Sequence, residues 1–119
     1  MTATEMELLA CLGAEPQLLC DEVPWAYNEA VYQVEVDGLA ISFVVAPATR
    51  DVRLIARRGE RRVFELCAVG VADVRVDDER GVDAIKVQLS AGSWVRVQLR
   101  PTFEVMQGFE PQGRTMRYT

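Results

Sequence analysis

The side chains of this chain that could carry chemistry are arginines and carboxylates, because it holds no histidine and a single lysine, Lys86. Without imidazole there is no Ser-His-Asp or Cys-His arrangement, no imidazole base and no His-containing zinc site. Lys86 falls in mid-strand beside Gln88 on an expected polar face, which suits neither a Schiff base nor a phosphate loop, and no dinucleotide fingerprint is present. Glu35 and Asp37 lie two apart, and Asp77, Asp78, Glu79 and Asp83 crowd one loop. Two-carboxyl hydrolysis needs a pair roughly 5 to 9.5 Å apart across a cleft with one held protonated by burial. These acids read as solvated, and the loop cluster matches no EF-hand order. We therefore assign no catalytic residue and no metal ligand, and expect no cofactor.

Arg57, Arg58, Arg61 and Arg62 flank Gly59. This cluster is either an anion site, taking phosphate or an acidic partner, or a solvated turn tip. A three-residue loop would set Arg57 opposite Arg61, a repulsive pair, with Arg53 opposite Glu65 and Ile55 facing Val63. Nucleic acid is disfavoured as a partner by the net charge of −5 and by the lack of aromatics among those arginines. Cys11, Cys20 and Cys67 fit neither CxxC nor a zinc spacing and are expected to be buried, reduced thiols.

The charge is unevenly laid out. Residues 1–49 contain eight carboxylates and no Lys or Arg, whereas all thirteen basic residues lie from Arg50 onward. Such asymmetry points to electrostatic partners rather than to fold. Glu22, Glu29, Glu35 and Asp37, with Trp25 and Tyr27 among them, form the candidate surface for a basic protein. Alternatively, these acids supply counter-charge to the arginines, and Trp25 and Tyr27 plug one end of the core.

These residues must be positioned by a mainly β framework. Thr4-Glu5-Met6-Glu7 reads as a capping box, with Met6, Leu9 and Ala10 at helical spacing and Gly13 as the stop. A second short helix is expected from Pro16 through Leu18, Leu19 and Cys20, ended by Pro24. From Ala30 the apolar period becomes two. Asp37-Gly38 predicts a type I′ hairpin pairing Val36 with Leu39, Val34 with Ile41 and Tyr32 with Phe43. At the far end Ser90-Ala91-Gly92 predicts a turn pairing Val87 with Val95 and Ile85 with Val97. Between them, Val52–Arg57, Arg62–Ala68 and Ala72–Val76 alternate less cleanly, and a short strand Phe103–Met106 follows Pro101.

The expected fold class is α+β, mainly β: one or two short N-terminal helices, then a curled antiparallel meander of about seven strands, as a partial barrel or a sandwich. Residues 1–106 are expected to form a single domain and 107–119 a mobile polar tail. The longest uncharged stretch, Gly38–Thr49, is far short of the roughly 20 residues of a membrane helix. The N-terminal residues lack a basic signal region. A cytoplasmic protein is the expectation, and twelve arginines to one lysine suggest a GC-rich bacterial source.

Val44, Ile55, Val63 and Trp94 fall at outward positions, a patch that would support a homo-oligomer or a second packed layer. A small acidic β-rich chain without catalytic residues is similar in general character to bacterial immunity or inhibitor proteins that block cationic toxins. The likeness is compositional and assigns no residues. It implies a non-enzymatic interaction protein. The alternatives are a small-molecule carrier, with a pocket lined by Tyr32, Phe43, Phe64 and Trp94 or Trp25, and a carboxylate-based enzyme.

Overall fold

The computed structural model describes residues 1–89 and 92–109. One helix, α1 (Glu5–Leu12), precedes nine strands among the described residues: β1 (Gln17–Leu18), β2 (Ala30–Val36), β3 (Leu39–Ala46), β4 (Asp51–Arg58), β5 (Arg61–Ala68), β6 (Asp73–Asp77), β7 (Asp83–Gln88), β8 (Ser93–Arg100) and β9 (Glu104–Phe109). They form two antiparallel sheets, β1-β2-β3-β4-β5 and β6-β7-β8-β9, and neither closes into a barrel. Both sheets bury their apolar faces in one cluster that includes Tyr32, Phe43, Leu54, Val74, Ile85 and Val97, so the arrangement is a sandwich.

The capping box forms as read from the sequence. The Glu7 amide donates to the Thr4 hydroxyl (3.1 Å), the Thr4 amide donates to the Glu7 carboxylate (3.0 Å), and Gly13 closes the helix at φ 71°. Leu8, Cys11 and Leu12 are buried, and α1 rests against β6 and β7. Its C-terminal carbonyls are held by a side chain from β8. Arg100 donates to the carbonyls of Cys11 (2.8 Å) and Leu12 (3.2 Å) and pairs with Asp83 at 3.5 Å. A cation here also opposes the negative end of the helix dipole.

The Asp37-Gly38 hairpin has the expected register, with both residues at positive φ (54° and 74°). Val87 pairs with Val95 and Ile85 with Val97 as expected. Of the turn joining them, Ser90 and Ala91 lie outside the described residues, while Gly92 has φ 83°.

Three expectations are corrected. The second helix does not form: Gln17 and Leu18 pair with Val31 and Ala30, and a 3₁₀ turn at Trp25–Tyr27 follows. The β4–β5 register also differs. A two-residue Gly59-Glu60 turn pairs Arg58 with Arg61 and Arg57 with Arg62, and a bulge at Val63 then pairs Ala56 with Phe64, Ile55 with Glu65 and Arg53 with Cys67. Both solutions keep even-numbered residues of β4 opposite even-numbered residues of β5, which interior packing requires. Gly59 takes positive φ (61°) at the first turn position, so the shorter turn forms without strain. Finally, β9 runs through Gln107, Gly108 and Phe109, assigned above to the tail; residues 110–119 lie outside the described residues.

The segment ahead of α1 is tied to β6. Thr2 donates from its amide and its hydroxyl to Asp73, both at 2.6 Å, and Arg75 donates to the same carboxylate at 3.0 Å. Burial alone would raise the Asp73 carboxyl, but these hydrogen bonds, with the Val74 amide, outweigh it and bring its pKa from 3.8 down to about 2. Folded Asp73 thus binds a proton less tightly than unfolded Asp73, and protonation favours unfolding. Its contribution is complete above the unfolded value of 3.8 and is lost as pH falls through about 2. Asp73→Asn should flatten the acid limb of a stability-against-pH curve within that window, measured by urea denaturation. Separately, Arg100→Ala should lower stability by about 1–2 kcal/mol, because two charge-assisted bonds to helix carbonyls disappear at a half-exposed position.

Candidate functional site

The strand pattern decides which candidate residues share a surface. In the five-stranded sheet, Tyr32, Phe43 and Leu54 form a row that points inward and is buried, so the adjacent row, Gln33, Ser42 and Ile55, points outward. The outer face therefore carries Glu29, Val31, Gln33 and Glu35 beside β2 and Ala40, Ser42, Val44 and Ala46 along β3. Asp51, Arg53, Ile55 and Arg57 follow along β4. Small side chains on β3 leave a trough. One concavity of about 520 Å³ is lined by Gln33, Glu35, Ala40, Ser42, Ile55 and Arg57, with Val34 and Ile41 at its base. A second, of about 290 Å³, includes Glu29, Val31, Val44, Arg53 and Cys67.

Three sets of residues treated separately in the sequence thus meet on one sheet. Glu35 and Arg57 share a row across Ala40, two strand spacings or about 10 Å apart. The Asp37-Gly38 turn and the Gly59-Glu60 turn lie at the same end of the sheet, where an Arg58 guanidinium nitrogen is 3.8 Å from the position a Gly38 Cβ would occupy. Val44 and Ile55 are diagonal neighbours on this face, and Val63 is exposed at the bulge. Trp94 does not join them. It belongs to β8 in the other sheet, where Lys86 sits 4.8 Å from its ring and Gly108 faces it across the strand pair.

Trp25 and Tyr27 have different roles. Trp25 is half-buried and its indole donates to the Tyr32 hydroxyl at 3.0 Å, whereas Tyr27 is 76% exposed. Burial pushes the Tyr32 hydroxyl pKa up, an effect that the Trp25 bond partly opposes. Glu22, Glu29, Glu35 and Asp37 are all exposed. Tyr32 and Phe43 pack on each other in the core (6.2 Å between ring centres), Phe64 packs on Phe103, and Trp94 lies on the far sheet. The aromatic residues proposed for a carrier pocket therefore do not line a common cavity.

The ion pairs are partitioned along the chain. Arg53 and Arg62 pair with Glu65, Arg75 with Asp73, Arg96 with Asp77 and Arg100 with Asp83. Among the described residues, none of the eight carboxylates before residue 50 pairs with a Lys or Arg. The expectation that they neutralise the arginine cluster is not met; within that cluster Arg62 pairs with Glu65 of its own strand. Arg57, Arg58 and Arg61 likewise have no ion pair among the described residues. No group of three or more His, Cys, Asp and Glu that could hold a metal occurs among these residues.

Cysteine placement needs correction. Cys11 is buried, its thiol directed at the Ala84 carbonyl (3.8 Å) and its pKa pushed up to about 12 by burial, with Asp83 adding to the effect. Cys20 and Cys67 are exposed, since one lies in a loop and the other at an outward position of β5.

One feature of the sheet had no signal in the composition: the edge of β2. Strand β1 covers only Ala30 and Val31. The chain then leaves through a loop folded around buried Asn28, whose side-chain amide donates to the carbonyls of Cys20 (2.6 Å) and Val23 (2.8 Å). Its oxygen accepts from the amides of Cys20 (3.2 Å) and Glu29 (2.9 Å). These bonds hold the loop between β1 and β2 in a closed shape. A fold-to-Asn signal, Asn two residues before a strand and after a Pro-Trp turn, was readable only as a turn residue.

No helix among the described residues is long and apolar enough to cross a membrane. No protein-family profile and no curated protein matches the chain in sequence. In three dimensions it is similar to a chain of the contact-dependent growth inhibition toxin–immunity protein complex from Klebsiella pneumoniae 342. The TM-score is 0.71 over 89% of this chain and 93% of that one, at 16% sequence identity. At that identity the likeness is one of fold.

Asn28→Ala should cost about 2–3 kcal/mol, because it strands buried backbone groups of the loop without partners. Urea denaturation checks the magnitude, and faster amide exchange confined to residues 19–29 would show that the loss is local.

Proposed function

We propose that this chain is a non-enzymatic binding protein that engages a basic protein through its acidic N-terminal half, in the manner of an immunity or inhibitor protein. The observation that carries this reading is the partition of charge. The later half of the described chain satisfies many of its acids with its own arginines, while the eight earlier carboxylates have no cationic partner among the described residues. Exposed acids without counter-charge cost little in water and gain when an opposite surface arrives, so they favour fast, salt-sensitive encounter with a cationic partner.

Glu22, Tyr27 and Glu29 lie at one end of this surface, and Glu35 and Asp37 at the other, about 20 Å away along β2. That span suits a protein partner better than a small ligand. Exposed Tyr27 is a candidate anchor, as Tyr is enriched at binding hot spots. The fold likeness to a chain of a toxin–immunity complex supports the same class of function.

The test is retention of a partner by the immobilised chain from extracts of its native host. A basic protein should be held at about 50 mM salt and released by about 0.5 M, as screening shortens the reach of these charges. The combined variant Glu22→Lys, Glu29→Lys, Glu35→Lys should lose retention at low salt while keeping the parent's melting temperature. Failure of the unaltered chain to hold any protein at low salt would overturn this reading.

A further inference from the structure

We propose that the partner adds to this chain as a strand: a basic extended segment pairs with the open edge of β2 at Gln33 and Glu35. This rests on the binding reading above and names the form in which the partner arrives.

The hairpin register shows which backbone groups are free. In a two-residue hairpin the pair flanking the turn is hydrogen-bonded and pairs alternate from there. Val36, Val34 and Tyr32 therefore bond to β3, and the N–H and C=O groups of Gln33 and Glu35 point the other way. The Leu19 amide donates to the Glu29 carbonyl at 3.0 Å, so odd-numbered residues of β2 do face the β1 side. On that side the ladder ends at Gln17, which pairs with Val31. Among the described residues no hydrogen bond reaches these groups of Gln33 and Glu35.

Such an edge is a template for another chain unless something blunts it. Two other sheet edges, at β5 and β6, differ. The outer edge of β5 carries Arg61, Arg62 and the Val63 bulge, and β6 receives the Ala3 amide on its Val74 carbonyl (2.7 Å). The β2 edge has no bulge, proline or lysine. It is also open toward the interior, because Val34 is half-buried where Tyr32 is fully buried.

Charge selects the occupant. Exposed Glu35 and Asp37 border the edge without an ion pair, so a Lys or Arg directly across from Glu35 would gain a cross-strand pair. Alternation then places an apolar residue against Val34, giving a basic–apolar–basic pattern. The arginines of β4 do not forbid this: an added strand lies three spacings, about 14 Å, from Arg57, beyond a screening length of about 8 Å.

The probe is a short alternating lysine–valine peptide, with amide hydrogen exchange as the readout. In the free protein the Gln33 and Glu35 amides should exchange fast, and saturating peptide should slow both by about tenfold or more. A peptide N-methylated on alternate residues, and a glutamate–valine peptide, should leave them unprotected. Glu35→Lys should abolish the protection while its melting temperature stays that of the parent.

Four results would overturn strand addition. The lysine–valine peptide could fail to bind at low salt, or bind without protecting these amides. Alternatively, the two amides could be protected in the free protein in proportion to its concentration, making a second copy the occupant. A captured host protein that leaves Gln33 and Glu35 unprotected would remove strand addition and keep the binding function. Absence of any captured protein would remove the function itself.

Discussion

Two sheets facing one dry interior impose a parity rule on every strand, and the rest of the structure depends on it. Even-numbered residues of β2, odd-numbered residues of β3, and even-numbered residues of β4 and β5 must all reach the core together. A slip of one residue would exchange Tyr32 for Gln33 or Phe43 for Ser42 in that interior, so register and burial are a single constraint. The bulge at Val63 is a consequence. A two-residue turn alone would oppose Ala56 with Val63 and turn Phe64 and Leu66 outward, and the one extra residue restores their inward direction.

The same rule that dries one face of the five-stranded sheet shapes the other. With most of the large apolar residues committed to the interior, β3 is left with Ala40, Ser42, Val44 and Ala46 outside, and the face becomes a trough between the charged residues of β2 and β4. Where strands end is set by other chemistry. Strand β1 covers β2 only at Ala30 and Val31, and Asn28 ties the loop between the two strands to itself. The rest of the β2 edge is left unpaired next to acids that are also unpaired. On the second sheet, α1 is held by Arg100 at one end and a capping box at the other, which leaves the helix to complete the core rather than to shape the surface.

Much of the framework was legible in the sequence because the relevant interactions are local. Asp37-Gly38 specifies a hairpin by backbone preference, and the alternation on either side agrees with it. Thr4, Glu7 and Gly13 specify a helix by hydrogen bonds that span only a few residues. The segment at Pro16–Cys20 misled because proline suits a helix start and an edge strand about equally, and pairing with Val31 decided between them. The arginine hairpin misled because parity admits a three-residue loop as well as a two-residue turn with a bulge. The burial expected for Cys20 and Cys67 rested on residue type alone, which is a weaker guide than strand position.

Composition and local pattern by themselves determined a mainly β chain opening on a capped helix, its two best hairpins, and a segregation of charge that follows from residue identity alone, but they also suggested a second helix that does not form. Only the tertiary structure decided which sheet each strand joined, that Glu35, Arg57 and Ile55 share one face while Trp94 lies on another, and that β2 keeps a free edge. The physical reason is range. Turn and cap preferences act over a few residues, whereas the closing of a ladder depends on groups brought together from distant parts of the chain. Whether a backbone group finds a partner is therefore settled only when the whole fold competes for it.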